Sequence, residues 1–419
     1  MNSLQPFERR ETGALESVFS SNDLYNITGD KHMSITRRKY LQGSAAAAGA
    51  GVLGTVATEA AAQNLPNLPT TMIWTSYDVG AAGYVEASAV AEAMGKKYGT
   101  RVRLQPSGSS IGRIKPLLDG RASHGWLANE LFFAMDALYE YAAPDTGPQN
   151  LRTLLGRANS LSIGATKESG IKTVADLKGR KFAVAKSNTS IYAKTEPILA
   201  FAGLTWDDLD LVEYPSYNAT MKALVEGKAD AGGFAPSSPG LREIEASRGL
   251  VWMALDPANK AGWDRMRKVV PFVDPFKETI GAGLSEDNGV WMLGYRYPMV
   301  TVQATASVDE VYALTKAIVE TFDMYKDVNK VAKRWAVELS GTPPMDAAMH
   351  DGAIRYLKEI GVWKAEHQQW QDGMLKRHAT LRKAWDNLIA KTPKAADMSI
   401  AEMQAIWYPV RKQALDSLG

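Results

Sequence analysis

The chain has 419 residues, 45% of them hydrophobic, with 48 Lys/Arg against 46 Asp/Glu for a net charge of +2, and no cysteine. That balance gives no electrostatic case for a nucleic-acid partner. The missing thiols exclude disulfides, a Cys nucleophile, Cys-ligated metal and a lipid-modified N-terminal Cys, while the length supports two domains with full cores.

In chain order, the first feature is Thr36-Arg37-Arg38-Lys39-Tyr40-Leu41-Gln42, followed by an uncharged Ala/Gly-rich run ending Ala60-Ala61-Ala62. Paired arginines, a short weakly apolar region and a small-residue cleavage site form a twin-arginine export signal. Residues 1–62 are therefore expected to be a signal peptide with an upstream extension, Met33 being an alternative start. The apolar run is too short for a membrane span, and no later run is long enough. The expected product is periplasmic and not membrane-anchored.

Beyond an irregular lead-in, Met72-Ile73-Trp74 reads as a strand and 85–98 as an Ala-rich helix. Val102–Gln105 alternates as a strand. Ser107-Gly108-Ser109-Ser110 opens a helix through Leu118, which Gly120 closes. After the segment 151–167, Phe182–Ala185 reads as a strand, Ser187-Asn188-Thr189-Ser190 as a turn and 191–202 as a helix. The strand 211–214, the turn Pro215-Ser216-Tyr217-Asn218 and a helix ended by Gly227 repeat the earlier unit. Leu118-Asp119-Gly120-Arg121-Ala122 matches Val225-Glu226-Gly227-Lys228-Ala229, with an expected two-residue gap in the helix. A βαβ unit used twice argues a parallel α/β protein of two similar lobes. From Ser307 the chain reads as helical: 350–359, then 363–391, then 400–418.

Ser169-Gly-Ile-Lys-Thr-Val-Ala-Asp-Leu-Lys-Gly-Arg-Lys-Phe-Ala-Val184 resembles a segment of periplasmic solute receptors. Gln105-Pro106-Ser107-Gly108-Ser109-Ser110 with Arg113, Gly227 to Pro239, and His350-Asp351-Gly352-Ala353 with Tyr356 resemble the TAXI-type solute-binding subunit of TRAP transporters. The resemblance implies an α/β, two-lobed periplasmic binding protein fold with a cleft between the lobes and C-terminal helices. It implies lobe one at 68–155 and 300–345, lobe two at 160–290, and a helical extension at 346–419. It implies binding without chemistry of a small anionic solute (an amino acid, a dicarboxylate or an oxo acid) and delivery to the membrane permease subunits of a TRAP transporter. The expected crossings between lobes are 151–167 and 285–305. This chain departs from the family pattern at His124, Arg113 and Ser187–Ser190.

In open α/β sheets, ligands lie beyond the carboxyl ends of the strands, where helix N-termini offer unpaired N–H groups to an anion. Ser107, Ser109, Ser110, Asn188, Thr189 and Ser190 lie in such turns. Each is equally an N-cap contributing about 1 kcal/mol. Arg113 is the candidate carboxylate clamp, or else a solvated helix arginine. Ser76, Tyr77, Tyr84, Asn129, Phe234, Pro236 and Ser237, with the aromatics Trp126, Tyr295 and Tyr297, are the remaining candidates to line a pocket. No cofactor and no metal are expected. The alternatives are an exported enzyme on the same fold, with His124 or a cleft carboxylate as base, and a periplasmic sensor subunit. The stripe Trp363, His367, Trp370, Met374, Leu381 and Trp385 reads as a packing face of a C-terminal helix.

Overall fold

The computed structural model describes residues 65–270 and 273–418; the expected signal peptide lies outside them. Lobe one opens with β1 (Thr71–Tyr77), α1 (Ala82–Tyr98), β2 (Arg101–Ser107), α2 (Ser110–Leu118), β3 (His124–Leu127) and α3 (Glu130–Asp136). The long strand β4 (Leu151–Thr166) crosses over. Lobe two follows as β5 (Lys181–Val184), α4 (Thr189–Phe201), β6 (Asp210–Glu213), α5 (Tyr217–Val225), β7 (Ala231–Phe234), α6 (Leu241–Arg248), β8 (Leu250–Trp252), α7 (Lys260–Val269) and β9 (Asp274–Glu278). The second long strand, β10 (Val290–Gln303), returns. Then come α8 (Val308–Glu320), α9 (Phe322–Tyr325), α10 (Val337–Ser340), α11 (Asp351–Glu359), α12 (Ala365–Ala390) and α13 (Ile400–Asp416).

The strand order is β2-β1-β3-β10-β4-β7-β5-β6. In each lobe the first strand lies between the second and third, with parallel pairing throughout. β10 and β4 run antiparallel to each other and join the two lobes. β10 pairs with β3 through Met299–Thr301, and β4 pairs with β7 through Ser162–Ala165. The protein is thus a two-lobed α/β fold, crossing at β4 and β10.

The repeat is more regular than its sequence suggests. Ser109 caps α2 by accepting from Gly112 N, and Ser216 caps α5 by accepting from Ala219 N. Both helices have nine residues, and both are followed by a glycine at φ 69°, Gly120 and Gly227. A left-handed residue there ends the helix without a Cβ clash. The expected two-residue gap is absent: each cap, helix end and glycine recurs at one constant offset.

Separate apolar clusters hold the parts. Trp74, Trp126, Leu155, Val300, Leu314 and Trp335 belong to the core of lobe one. Leu161, Phe182, Ile198 and Trp263 belong to one core of lobe two, and Met221, Phe234 and Trp252 to another. Leu381, Trp385, Met403 and Trp407 join α12 to α13 and to Ala137 and Ala142. β4 is pinned to lobe one by a buried ion pair. Arg157 donates from Nε and Nη2, each at 2.7 Å, to Glu86 of α1, which also accepts from Trp335 Nε1 at 2.7 Å.

Candidate functional site

The parallel strands of both lobes end at one junction, so the helices that follow start there. β1, β2 and β3 end at Tyr77, Ser107 and Leu127, and β5 ends at Val184. The bends touch across the lobes. Ser110 N donates to Ser187 O at 2.9 Å, and Ser190 N to Ser110 Oγ at 3.3 Å. Asn218 Nδ2 donates to Val79 O at 3.0 Å. The lobes are closed on each other.

Arg113 lies at the centre of the junction, with none of its side chain exposed. Its Nε donates to Glu130 Oε1 at 2.8 Å and Nη1 to Ser107 O at 3.3 Å. Nη2 reaches Ser110 Oγ at 3.0 Å and, in the other lobe, Asn188 Oδ1 at 3.3 Å. The guanidinium stacks 3.7 Å from the Tyr77 ring centre. A single N–H of the fork is left over. The residue expected to grip a carboxylate with both prongs instead ties the two lobes together, because Glu130 and Asn188 already occupy its fork.

Lys194 comes from α4, one turn beyond Ser190. It is fully buried, donates to Ser190 O at 2.5 Å and Ser190 Oγ at 2.6 Å, and lies 4.4 Å from the Tyr295 ring centre. Burial lowers its pKa to about 7 despite the nearby Glu130 and Asp346. Asp346 accepts from Asn129 Nδ2 at 2.6 Å, and burial pushes its pKa up to about 7. Asn159, on the crossing strand β4, donates to Tyr295 Oη at 3.0 Å.

Among the described residues, five buried polar atoms in this network have no partner: Asn129 Oδ1, Glu130 Oε2, Tyr141 Oη, Asn159 Oδ1 and Asn188 Nδ2. They come from lobe one, a crossing strand and lobe two. Each such orphan costs about 1–3 kcal/mol, so this concentration calls for a polar occupant. A hollow of about 310 Å³, lined in part by Phe276, Tyr295, Arg296, Met345 and Asp346, adjoins the network and shares Tyr295 and Asp346 with it. That volume is in the range of small-ligand pockets.

The structure brings Tyr77, Ser110, Arg113, Asn129, Asn188 and Ser190 together. Thr189 also reaches across, donating to Glu140. Ser107 and Ser109 serve the bend itself, bonding Ser109 N and Gly112 N. Ser76 is buried and bonds its neighbour's carbonyl, and Tyr84 is half-buried on α1. Other expected residues lie elsewhere. Phe234 is fully buried in a lobe-two core against Tyr217, its ring lying beside Gly164 and Gly232. Pro236 supports a neighbouring loop, its carbonyl accepting from Ala282 N at 3.1 Å. The Ser237 hydroxyl is buried without a partner among the described residues. His124 begins β3, at the opposite end of that strand from the junction. Its ring packs on Trp74, and burial lowers its pKa to about 3. It is a neutral core residue.

Glu130, Tyr141, Asn159, Lys194 and Asp346 were not singled out from sequence. Lys194 had a signal, since it lies four residues after Ser190 on a helix opening at the junction. Asp346 had none, because its loop returns from far along the chain.

Residues 77–361 match the NMT1-like family. The chain belongs to that family. Among solved structures, this NMT1-like protein is similar to the alkanesulfonate-binding protein SsuA from Xanthomonas axonopodis pv. citri bound to MOPS. That match has 17% identity and a TM-score of 0.41, covering 70% of this chain and 84% of that one. A structure of a periplasmic transporter matches at 15% identity and a TM-score of 0.44, covering 73% and 97%. An ancestral arginine-binding protein bound to arginine matches at 14% identity and 0.38, covering 64% and 99%. Among the described residues, no helix is long and apolar enough to cross a membrane.

Proposed function

We propose that this NMT1-like protein is an exported solute receptor that closes its lobes on one small molecule and releases it unchanged to a membrane permease. The observation that carries the reading is the set of five unpartnered polar atoms buried where the lobes meet. A ligand touching both lobes and the crossing strands stabilises the closed form, which is how hinge closure is driven. The twin-arginine signal supports export to the periplasm, and the resemblance to TAXI-type subunits supports a TRAP-type permease as partner.

The polar groups divide by type. The spare N–H of Arg113, the third N–H of Lys194 and Asn188 Nδ2 suit a carboxylate. Glu130 Oε2, Asn129 Oδ1 and Asn159 Oδ1 ask for donors. An amino acid brings both ends. A dicarboxylate would set its second negative charge against acceptors. The test is to denature the natively purified protein, identify the released molecule by mass spectrometry and add it back by calorimetry. Stoichiometric binding with the compound recovered intact is expected. A protein that carries no small molecule and gains no thermal stability from any amino acid overturns the reading.

A further inference from the structure

Residues beyond 361 lie outside the family match, yet α12 and α13 are not a loose appendage. They pair as a hairpin whose core takes in Ala137 and Ala142, on either side of one bend of lobe one. That bend is held at its backbone. Trp407 Nε1 donates to Asp136 O at 3.0 Å and Gln404 Nε2 to Tyr139 O at 2.8 Å, while Tyr139 N donates to Tyr408 Oη at 3.1 Å. The Asp136 carboxylate is fully buried between two guanidiniums. Arg377 reaches it at 2.5 and 2.6 Å, and Arg411 at 2.9 Å from Nε with a second contact from Nη2.

Such a grip has a reason in the bend itself. Ala137 and Tyr139 have φ of 50° and 52°, a left-handed conformation that costs non-glycine residues energy unless their surroundings enforce it. The hairpin provides that enforcement at Tyr139 through Gln404 and Tyr408.

The opposite side of the bend faces the other lobe. Tyr139 Oη donates to Glu196 Oε2 at 3.5 Å, and Glu140 accepts from Thr189; both partners lie on α4. Glu130, before the bend, holds Arg113, and Tyr141, within it, carries one of the unpartnered hydroxyls.

We propose that the α12–α13 hairpin is a positioning device for lobe closure. Asp136, Arg377, Arg411, Gln404 and Tyr408 hold the 136–142 bend in the strained shape that lets Tyr139 and Glu140 latch α4. This rests on the closing-receptor reading. The hairpin touches no ligand; it acts through the bend on the equilibrium between open and closed forms.

The chain has no cysteine, so Val79→Cys and Lys186→Cys, exposed positions on opposite lobes, accept paired spin labels without further changes. Distances are measured on the full chain as purified, and again after unfolding, dialysis and refolding to strip any bound molecule. In the unmutated background, the purified sample is expected to show the short distance and the stripped sample to gain a longer one. Arg411→Met and Tyr408→Phe are each expected to lower the closed-to-open ratio of the stripped protein by about tenfold. Tyr139→Phe removes only the hydroxyl that faces Glu196 and should lower it in the same direction, with the hairpin untouched. Variants that melt earlier but keep the closed-to-open ratio assign the hairpin a purely structural role and overturn the proposal. A background protein with one unchanging distance in both samples overturns the closing-receptor reading, and this inference with it.

Discussion

Arg113→Met isolates the group at the centre of the junction. Methionine keeps much of the apolar stem but leaves Glu130, whose side chain is fully buried, without its counter-charge. Breaking a buried pair by removing one partner costs about 3–5 kcal/mol, mostly the penalty on the charge left behind. Loss of the desolvated stacking on Tyr77 adds about 1–2 kcal/mol. With a urea slope of about 3 kcal/mol/M, the unfolding midpoint should fall by more than about 1 M. Trp74, Trp126 and Trp335 lie in the same core, so tryptophan fluorescence reports the transition. The decisive control is Arg113→Met with Glu130→Gln, which removes the stranded charge and should recover about half the loss or more. If the single variant costs under about 1 kcal/mol, or the double is no more stable than the single, Glu130 is not the group Arg113 neutralises. The account of the junction would then fail.

Asp346 and Lys194 give opposite pH slopes. Asp346 titrates near 7 when folded against 3.8 in the free chain, so the folded form keeps a proton that the unfolded chain has lost, and stability falls as pH rises from about 4 to 7. Lys194 titrates near 7 against 10.5, so stability rises from about pH 7 to 10.5. Each slope is at most about 1.4 kcal/mol per pH unit; the urea midpoint of Asp346→Asn should gain on wild type from about pH 4 to 7, and that of Lys194→Met should lose on it from about pH 7 to 10.5. Differences from wild type that stay flat across those two windows discard both assignments. His378 has both ring nitrogens buried and, among the described residues, unpartnered, and burial lowers its pKa to about 3, below the ordinary 6.5. Stability should therefore drop as pH falls below about 6.5, and His378→Leu should lessen that drop in acid thermal melts. Gly147 has φ 59°, and an added Cβ would lie 2.4 Å from Trp385 Nε1. Gly147→Ala should cost about 2 kcal/mol or more and make α12 the first site of limited proteolysis.

The repeat was legible because its turns are spelled out locally: a serine cap, a nine-residue helix, a glycine in the left-handed region. The first crossing strand was legible as a segment between the copies, and the second as the return after them. The error of a two-residue gap came from aligning residue types rather than caps. The site was legible only where it is built from those turns. Ser110, Asn188 and Ser190 are helix starts, and their meeting follows from the fold. Arg113 was noticed, but its partner Glu130 opens a different helix, α3, so its saturation could not be read. Phe234 misled because a strand-end aromatic has two faces to choose from, and a core already lined by Tyr217 and Trp252 took it. Asp346 reaches the network on a loop between α10 and α11, beyond any local pattern.

β10 lies between β3 and β4 in the sheet, although it is synthesised long after both. Until the ribosome has passed Gln303, those two strands have no neighbour to fill the space between them, and their backbone groups face water or other chains. Such bare edges are sticky. The nascent protein thus completes its first lobe only after the strands of its second have been made.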